Sequence, residues 1–311
     1  MALPITAMNL ADGNDPIDPI YAAASTSAQL DHGTPSERKN AAEKRAAARF
    51  SLDGKAAIIA GGYGGLGFEC GLALLEHGVK YLGIVDIRSN PEKLHKLGQR
   101  GGQETCIQEF ITDLSHDDGA QQAVAFFCST FPRLDIVLLC TGIVGAQHAF
   151  DTTPAAWRRM QDINTTSGFL MAQAAARKMI EFAEAKGETP VRCNGSMILI
   201  SSVSAHHVNF PQPQAAYNAS KAAVSHLARC LAAEWAVYGI RVNSVSPGYL
   251  DTALNIGEHL DQAKKVWYAR MPMGRMGRVD EVAGTVILLS SPAGSYFTGS
   301  DIIVDGGLTV M

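Results

Sequence analysis

From Leu52 to the carboxyl end, short apolar runs alternate with longer stretches of helical period, the runs falling near 56–60, 81–86, 105–111, 134–140, 195–201, 240–246 and 300–304. Alternation of this kind argues for parallel strands joined by helical crossovers, which cover the sheet on both faces. The expected fold is therefore α/β, a doubly wound seven-stranded parallel sheet. No internal repeat or low-complexity linker interrupts the pattern, so residues 51–311 are expected to form a single domain.

Residues 1–50 differ from the rest. Their first part has no period, and Thr34-Pro-Ser-Glu37 then opens a charged, alanine-rich stretch with a capping box and proline in the first turn. An N-terminal extension, partly disordered and ending in a surface helix, is expected, with no chemistry assigned to it. The longest departure from alternation inside the domain runs over 249–278, after the sixth strand, where Gly257, Pro272, Gly274 and Gly277 punctuate polar and aromatic residues. Ligands of such sheets bind beyond the carboxyl ends of the strands, so this segment reads as a substrate lid.

Composition narrows the partners. The net charge is −4 and no long basic stripe occurs, which points away from nucleic acid and anionic membranes. No apolar run reaches the ~18 residues of a spanning helix. The first cation is Arg38, and Asp12, Asp15 and Asp18 interrupt the start, so no secretory or Arg-rich leader is recognised and a cytoplasmic location is expected. Six dispersed cysteines form no Cys-x-x-Cys and read as buried thiols. His206 and His207 lack a carboxylate or thiol at ligand spacing, so no metal site is expected. A small-molecule substrate is the remaining expectation.

The chemistry-bearing residues follow the strands in order. Gly61-Gly-Tyr-Gly-Gly65-Leu66-Gly67 lies between the first strand and a helix, where glycines let the backbone approach a pyrophosphate resting on the helix's first amides. Asp86 ends the second strand nineteen residues beyond Gly67, placed to accept from both hydroxyls of an adenosine ribose. Its charge favours NAD, while Arg88 leaves NADP open. Ala-Ala-Tyr217-Asn-Ala-Ser-Lys221 puts a phenol and an ammonium on one helical face, and a nearby cation favours the phenolate that a base at neutral pH requires. A lone Tyr-x-x-x-Lys is weak evidence; its place after Ile198-Leu-Ile-Ser201-Ser202 and the glycine turn gives it weight.

Together these residues resemble the short-chain dehydrogenase/reductase family over nearly everything from Leu52 onward. Further matches are Asp113-Leu114 after the third strand, Asn164 in Asp-Ile-Asn-Thr, Ser246-Pro247-Gly248 and Val304-Asp305-Gly306-Gly307. The resemblance implies a Rossmann-type sheet and a catalytic tetrad of Asn164, Ser202, Tyr217 and Lys221. In it Tyr217 moves the proton, Lys221 lowers its pKa, Ser202 bonds the substrate oxygen and Asn164 holds a water. For the cofactor it implies Gly61, Gly65, Leu66, Gly67, Asp86, Asp113, Leu114 and Gly142, with Tyr217, Lys221, Pro247, Leu250 and Thr252 at the nicotinamide end. Ser202 precedes Tyr217 by fifteen residues where about thirteen is commoner, and Ser204 is the second choice. Two departures, Ala60-Gly61 for Thr-Gly and Leu139-Cys140-Thr141-Gly142 for Asn-Asn-Ala-Gly, bear on cofactor affinity.

Within the family, Ser-x-Ser-x-His, Val-Asn-Phe-Pro-Gln and Met271-Pro-Met-Gly-Arg275 look like the fungal polyol branch: mannitol 2-dehydrogenases, L-xylulose and sorbose reductases, D-arabinitol dehydrogenases. That implies a polyol and ketose pair, with Ser204, His206, Asn209 and Tyr249 facing substrate, and a homotetramer built on the helices expected over 154–185 and 214–238. The polar run with His207, Gln212 and Gln214 favours a sugar-like substrate. The lid's Tyr249, Trp267, Tyr268, Met271 and Met273 favour a bulkier ketone such as a secondary-metabolite intermediate. A nucleotide-binding protein without turnover is a third reading, against which the intact tetrad counts.

Overall fold

The computed structural model describes residues 34–187, 193–252, 255 and 260–310. Residues 1–33, most of the expected extension, and residues 253–254 and 256–259 of the expected lid lie outside them. The chain divides into two units at Ala46–Ala47. In the first, helix α1 (Pro35–Phe50) begins at the capping box: the Glu37 amide donates to Thr34 Oγ1 at 3.3 Å, and the Thr34 amide to Glu37 Oε2 at 2.8 Å.

The second unit is built on seven parallel strands in the order β3-β2-β1-β4-β5-β6-β7. They are β1 (Ala56–Ala60), β2 (Tyr81–Asp86), β3 (Cys106–Ile111), β4 (Ile136–Leu139), β5 (Gly195–Ile200), β6 (Ile240–Pro247) and β7 (Asp301–Val304). Each lies within two residues of its expected bounds at either end. Because successive residues of a strand point to opposite faces, each central strand feeds two cores. Ile58, Val137 and Leu199 face one side; Ile59, Leu138 and Ile198 face the other.

Helices cover both faces. On the first lie α4 (Gly119–Cys128), α6 (Ser167–Ala185) and α7 (Ala215–Trp235), which contribute Phe127, Met171 and Val224. On the second lie α2 (Gly65–Glu76), α3 (Pro91–Gly101) and α9 (Val279–Ser290), with Leu74, Leu97 and Val286. The short α5 (Pro154–Gln161) precedes α6, and α8 (Asp261–Arg270) belongs to the excursion after β6. The helix expected over 154–185 is not uniform: five residues, Asp162–Thr166, form a π-helical turn between α5 and α6. Such a turn widens the ladder locally and re-aims a side chain, here that of Asn164.

The excursion after β6 returns to its origin. Leu250 bridges Gly277, the Gly277 amide donates to Tyr249 O at 2.9 Å, and the Asp251 amide to Gly277 O at 2.8 Å. Trp267 and Met271 pack with Val203 and Leu308 in a small core of their own.

Close packing sets one testable limit. A Cβ at Gly83 of β2 would stand 2.9 Å from ring atoms of Phe127, itself fully buried. We expect Gly83→Ala to destabilise the fold by about 1–3 kcal/mol in urea unfolding, because neither strand nor ring has room to yield. An unchanged midpoint would contradict this packing.

Candidate active site

The chain runs from β1 outward to β3 on one side and resumes with β4 on the other, so the connections diverge at the carboxyl ends of β1 and β4. A crevice opens at such a reversal. It holds a cavity of about 290 Å³, walled by residues that follow β1, β4, β5 and β6.

At one end lie Gly61, Gly65, Leu66 and Gly67. Gly61 has φ +76°, which a side chain would disfavour, and a Cβ at Gly67 would stand 2.3 Å from Gly61 O. Helix α2 starts here with Gly64 at its N-cap and no capping side chain, so its first amides meet the cavity without an internal acceptor from a cap. A Cβ at Gly65 would fall 3.2 Å from Thr252 Cγ2, so backbone and Thr252 approach closely. Uncapped amides and bare glycines suit a pyrophosphate. Gly142, Pro247 and Leu250 extend this wall.

Asp86 lies at the end of β2, outside the cavity wall. Its Oδ2 accepts from the Tyr63 amide at 2.9 Å and its Oδ1 from the Ile87 amide at 2.8 Å. Each oxygen keeps a lone pair, so the carboxylate is held in place yet able to accept further. Nearby, the Tyr63 hydroxyl donates to Glu109 Oε2 at 2.6 Å, and burial together with Glu109 raises the phenol well above its ordinary value. Asp113 is exposed, its carboxyl held below the usual range by bonds from the Ser115 amide and hydroxyl. Leu114 is buried in the core and does not face the cavity.

Asn164 stands behind the cavity, 3% exposed. Its Oδ1 accepts from the Ile143 amide at 2.8 Å, and its Nδ2 donates to Ile143 O at 3.0 Å and Ser220 Oγ at 2.9 Å. One side chain therefore ties the loop after β4 to helix α7. The side-chain amide is thus engaged with protein on both its oxygen and its nitrogen. Beside it, the departure at Thr141 has a structural trace: its buried hydroxyl has no hydrogen-bond partner.

Ser202, Tyr217 and Lys221 line the other end of the cavity. Ser202 follows β5 in extended backbone; its Oγ accepts from the Ser204 amide at 3.1 Å and donates to Ser204 Oγ at 3.0 Å. Lys221 is 5% exposed, and its Nζ donates to Ile200 O at 2.9 Å. Burial lowers its pKa to about 8, which leaves the ammonium charged at neutral pH. Burial also raises the Tyr217 phenol above its ordinary value, against a weaker opposing effect of a Ser202 hydrogen bond. Lys221 Nζ lies 5.9 Å from the Tyr217 ring centre. At that distance burial outweighs the lysine in its effect on the phenol.

The expected substrate residues divide. Ser204, Asn209 and Tyr249 line the cavity. His206 does not: the turn Val203–Ala205 directs it to β7, where Nε2 meets Asp301 Oδ2 at 2.8 Å. Tyr249 stacks on Trp267 with centres 4.0 Å apart, and Asn209 Nδ2 donates to its hydroxyl at 3.3 Å. Gln212, Gln214, Ile143 and Val144 also line the cavity, and of these only the two glutamines belonged to the polar run that the sequence marked. Among the described residues no cluster of histidine, cysteine or carboxylate could hold a metal.

With this geometry in view, the comparisons with known proteins are direct. Residues 61–309 match a family model described as enoyl-(acyl carrier protein) reductase. A galactitol 2-dehydrogenase of Rhizobium johnstonii is 36% identical, covering 84% of this chain and 97% of the relative. An NADP-dependent mannitol dehydrogenase of Alternaria alternata is 32% identical, covering 84% and 94%. The crystal structure of a short-chain type dehydrogenase/reductase from Mycobacterium marinum is 36% identical, with a TM-score of 0.76 over 85% of this chain and 98% of that one. The chain belongs to the short-chain dehydrogenase/reductase family, a family of oxidoreductases. Its relatives include polyol dehydrogenases, as the resemblance implied.

The depressed lysine gives a signed pH dependence. The folded chain holds Lys221 at about 8 against an ordinary 10.5, so between those values the unfolded state binds more protons. The burden of the buried charge is complete below pH 8 and fades as pH rises toward 10.5. Stability of the wild type relative to Lys221→Met should therefore rise with pH across that window in urea unfolding. A flat difference would mean that the lysine is not desolvated.

Proposed function

We propose that the protein interconverts a secondary alcohol and a ketone with a nicotinamide dinucleotide, acting on a polyol and its ketose. The observation that supports this most directly is one cavity with a glycine turn and uncapped helix amides at one end and Ser202, Tyr217 and Lys221 at the other. The names of the related galactitol and mannitol enzymes support the substrate class.

When bound, the nicotinamide supplies the acceptor or donor of the hydride. The chain's own residues do the rest. Gly61, Gly65, Leu66 and Gly67 receive the pyrophosphate, with Thr252, and Pro247, Leu250 and Gly142 flank the nicotinamide end. Ser202 donates a hydrogen bond to the reacting oxygen, and Tyr217 exchanges its proton with it. Lys221 keeps a positive charge on the phenol's side, and Asn164 positions the β4 loop and α7 relative to one another. Asp113 and Leu114 bound the adenine end through their backbone and the Asp113 carboxylate.

A phenol raised above its ordinary value is a proton donor at neutral pH, which suits ketone reduction; alcohol oxidation needs the phenolate and gains as pH rises. For the cofactor we favour NAD, because Asp86, the expected ribose acceptor, is held at the end of β2 with an acceptor lone pair left on each oxygen. The apolar lid residues give little support to a flat, bulky ketone: Trp267 is 1% exposed and packs in the lid's own core, so of the two stacked rings Tyr249 alone lines the cavity. Among the described residues no helix is long and apolar enough to cross a membrane. We further infer a cytoplasmic homotetramer assembled on α5–α6 and α7, which sedimentation would test.

Nicotinamide absorbance tests the chemistry. Tyr217→Phe should lower turnover by about 100-fold or more with NAD or NADP and any alcohol, and undiminished turnover would refute the role of the phenol. In the wild type, oxidation should gain and ketone reduction should decline with rising pH. Asp86→Ser should shift preference toward NADP by about tenfold, one like-charge repulsion having been removed.

A further inference from the structure

Gln214 is the N-cap residue of α7, three positions before Tyr217. It is 9% exposed and lines the cavity. Its backbone carbonyl accepts from the Asn218 amide at 2.8 Å, but its side chain does not cap the helix and, among the described residues, bonds no other. The amide atoms are not sealed off but open to the cavity, so the side chain's donors and acceptor are left for whatever occupies it.

Gln212, two residues earlier, lines the same cavity with a fixed polarity. Its Oε1 accepts from Trp267 Nε1 at 3.1 Å. An indole nitrogen only donates, so the glutamine must present its carbonyl to Trp267 and keep its two N–H donors for other use. Trp267 is itself held by the Tyr249 ring and the lid core. The cavity thus has one amide whose orientation is fixed, with both N–H donors available, and one that can turn to donate or accept.

The charge of the wall restricts what these amides meet. Among the described residues, the cavity is lined by no carboxylate, no arginine and no histidine, and Lys221 is its sole cation. A sugar acid or sugar phosphate would find no second cation to balance its charge. Hydroxyl groups, which donate and accept at once, match a pair of neutral amides.

We propose that Gln212 and Gln214 form a hydroxyl-reading subsite that selects an uncharged polyol or ketose with hydroxyls beyond the reacting carbon. This rests on the reading of the cavity as the site of alcohol and ketone chemistry. Gln214 is a specificity residue, whereas Trp267 acts through Gln212 as a positioning residue.

Equilibrium binding tests the subsite separately from turnover. Calorimetry would use full-length Tyr217→Phe protein saturated with NAD or NADP, titrated with galactitol, 1,2-hexanediol and D-galactonate. The first pair shares a carbon chain and differs in four hydroxyls. Galactitol should bind at least about tenfold tighter than 1,2-hexanediol and tighter than galactonate, and adding Gln214→Leu should remove most of that advantage. Trp267→Phe should reduce it in part, by releasing Gln212. Should Gln214→Leu lose its cooperative melting transition, Gln214→Asn, which withdraws the amide by one methylene, takes its place with the same expected loss. Equal binding of the two alcohols, an advantage that survives the Gln214 substitution, tighter binding of galactonate, or no binding of galactitol would each overturn the subsite. Failure of the wild type to oxidise any secondary alcohol would instead overturn the proposed reaction.

Discussion

Parallel pairing obliges all seven strands to end on the same edge of the sheet, and every residue of the site depends on that constraint. The glycine turn after β1, the Asn164-tethered loop after β4, Ser202 after β5 and the excursion after β6 come from sequence positions far apart. They meet because one edge collects all carboxyl ends, and because the order reverses between β1 and β4. Burial on both faces fixes the register that makes this work: a slip of one residue would exchange the side chains of β1 between two filled cores.

Within that frame the site is governed by desolvation more than by pairing. Lys221 has a carbonyl, not a carboxylate, as its bonded partner, and the Tyr217 phenol is opposed in its rise only weakly, by Ser202. No ion pair settles the proton positions, so both groups remain responsive to what enters the cavity. Burial drives the two pKa values in opposite senses, the ammonium down and the phenol up, so both shifts favour the uncharged form. Asn164 contributes rigidity of another kind, since its amide joins the loop after β4 to helix α7, both of which supply cavity wall.

The sheet was legible because each strand is a short apolar run between helical patterns, and only the ends moved by a residue or two. Tyr217 and Lys221 were legible for a similar reason: spacing of four on a helix places them on one face whatever the surroundings. The π-turn at Asn164 was not, since nothing in Asp-Ile-Asn-Thr-Thr distinguishes it from an ordinary helical turn. Tertiary bonds to Ile143 and Ser220 select it. His206 shows the limit of proximity in sequence: four residues from Ser202, it is turned to Asp301 by one 3₁₀ turn. The glutamines lay in a run whose polarity was evident, but the orientation of Gln212 depends on Trp267, more than fifty residues away.

The bridge between Leu250 and Gly277 brings the two ends of the excursion after β6 together just beyond the end of that strand. For a loop whose ends are already joined, the entropy of closure grows only with the logarithm of its length. Insertions and deletions between those two residues would therefore alter the stretch that contributes Thr252 and Asn255 to the cavity wall while leaving strand register and the two cores of the sheet untouched. A change of substrate range in this architecture can arise by exchanging one cassette, without renegotiating the fold that carries it.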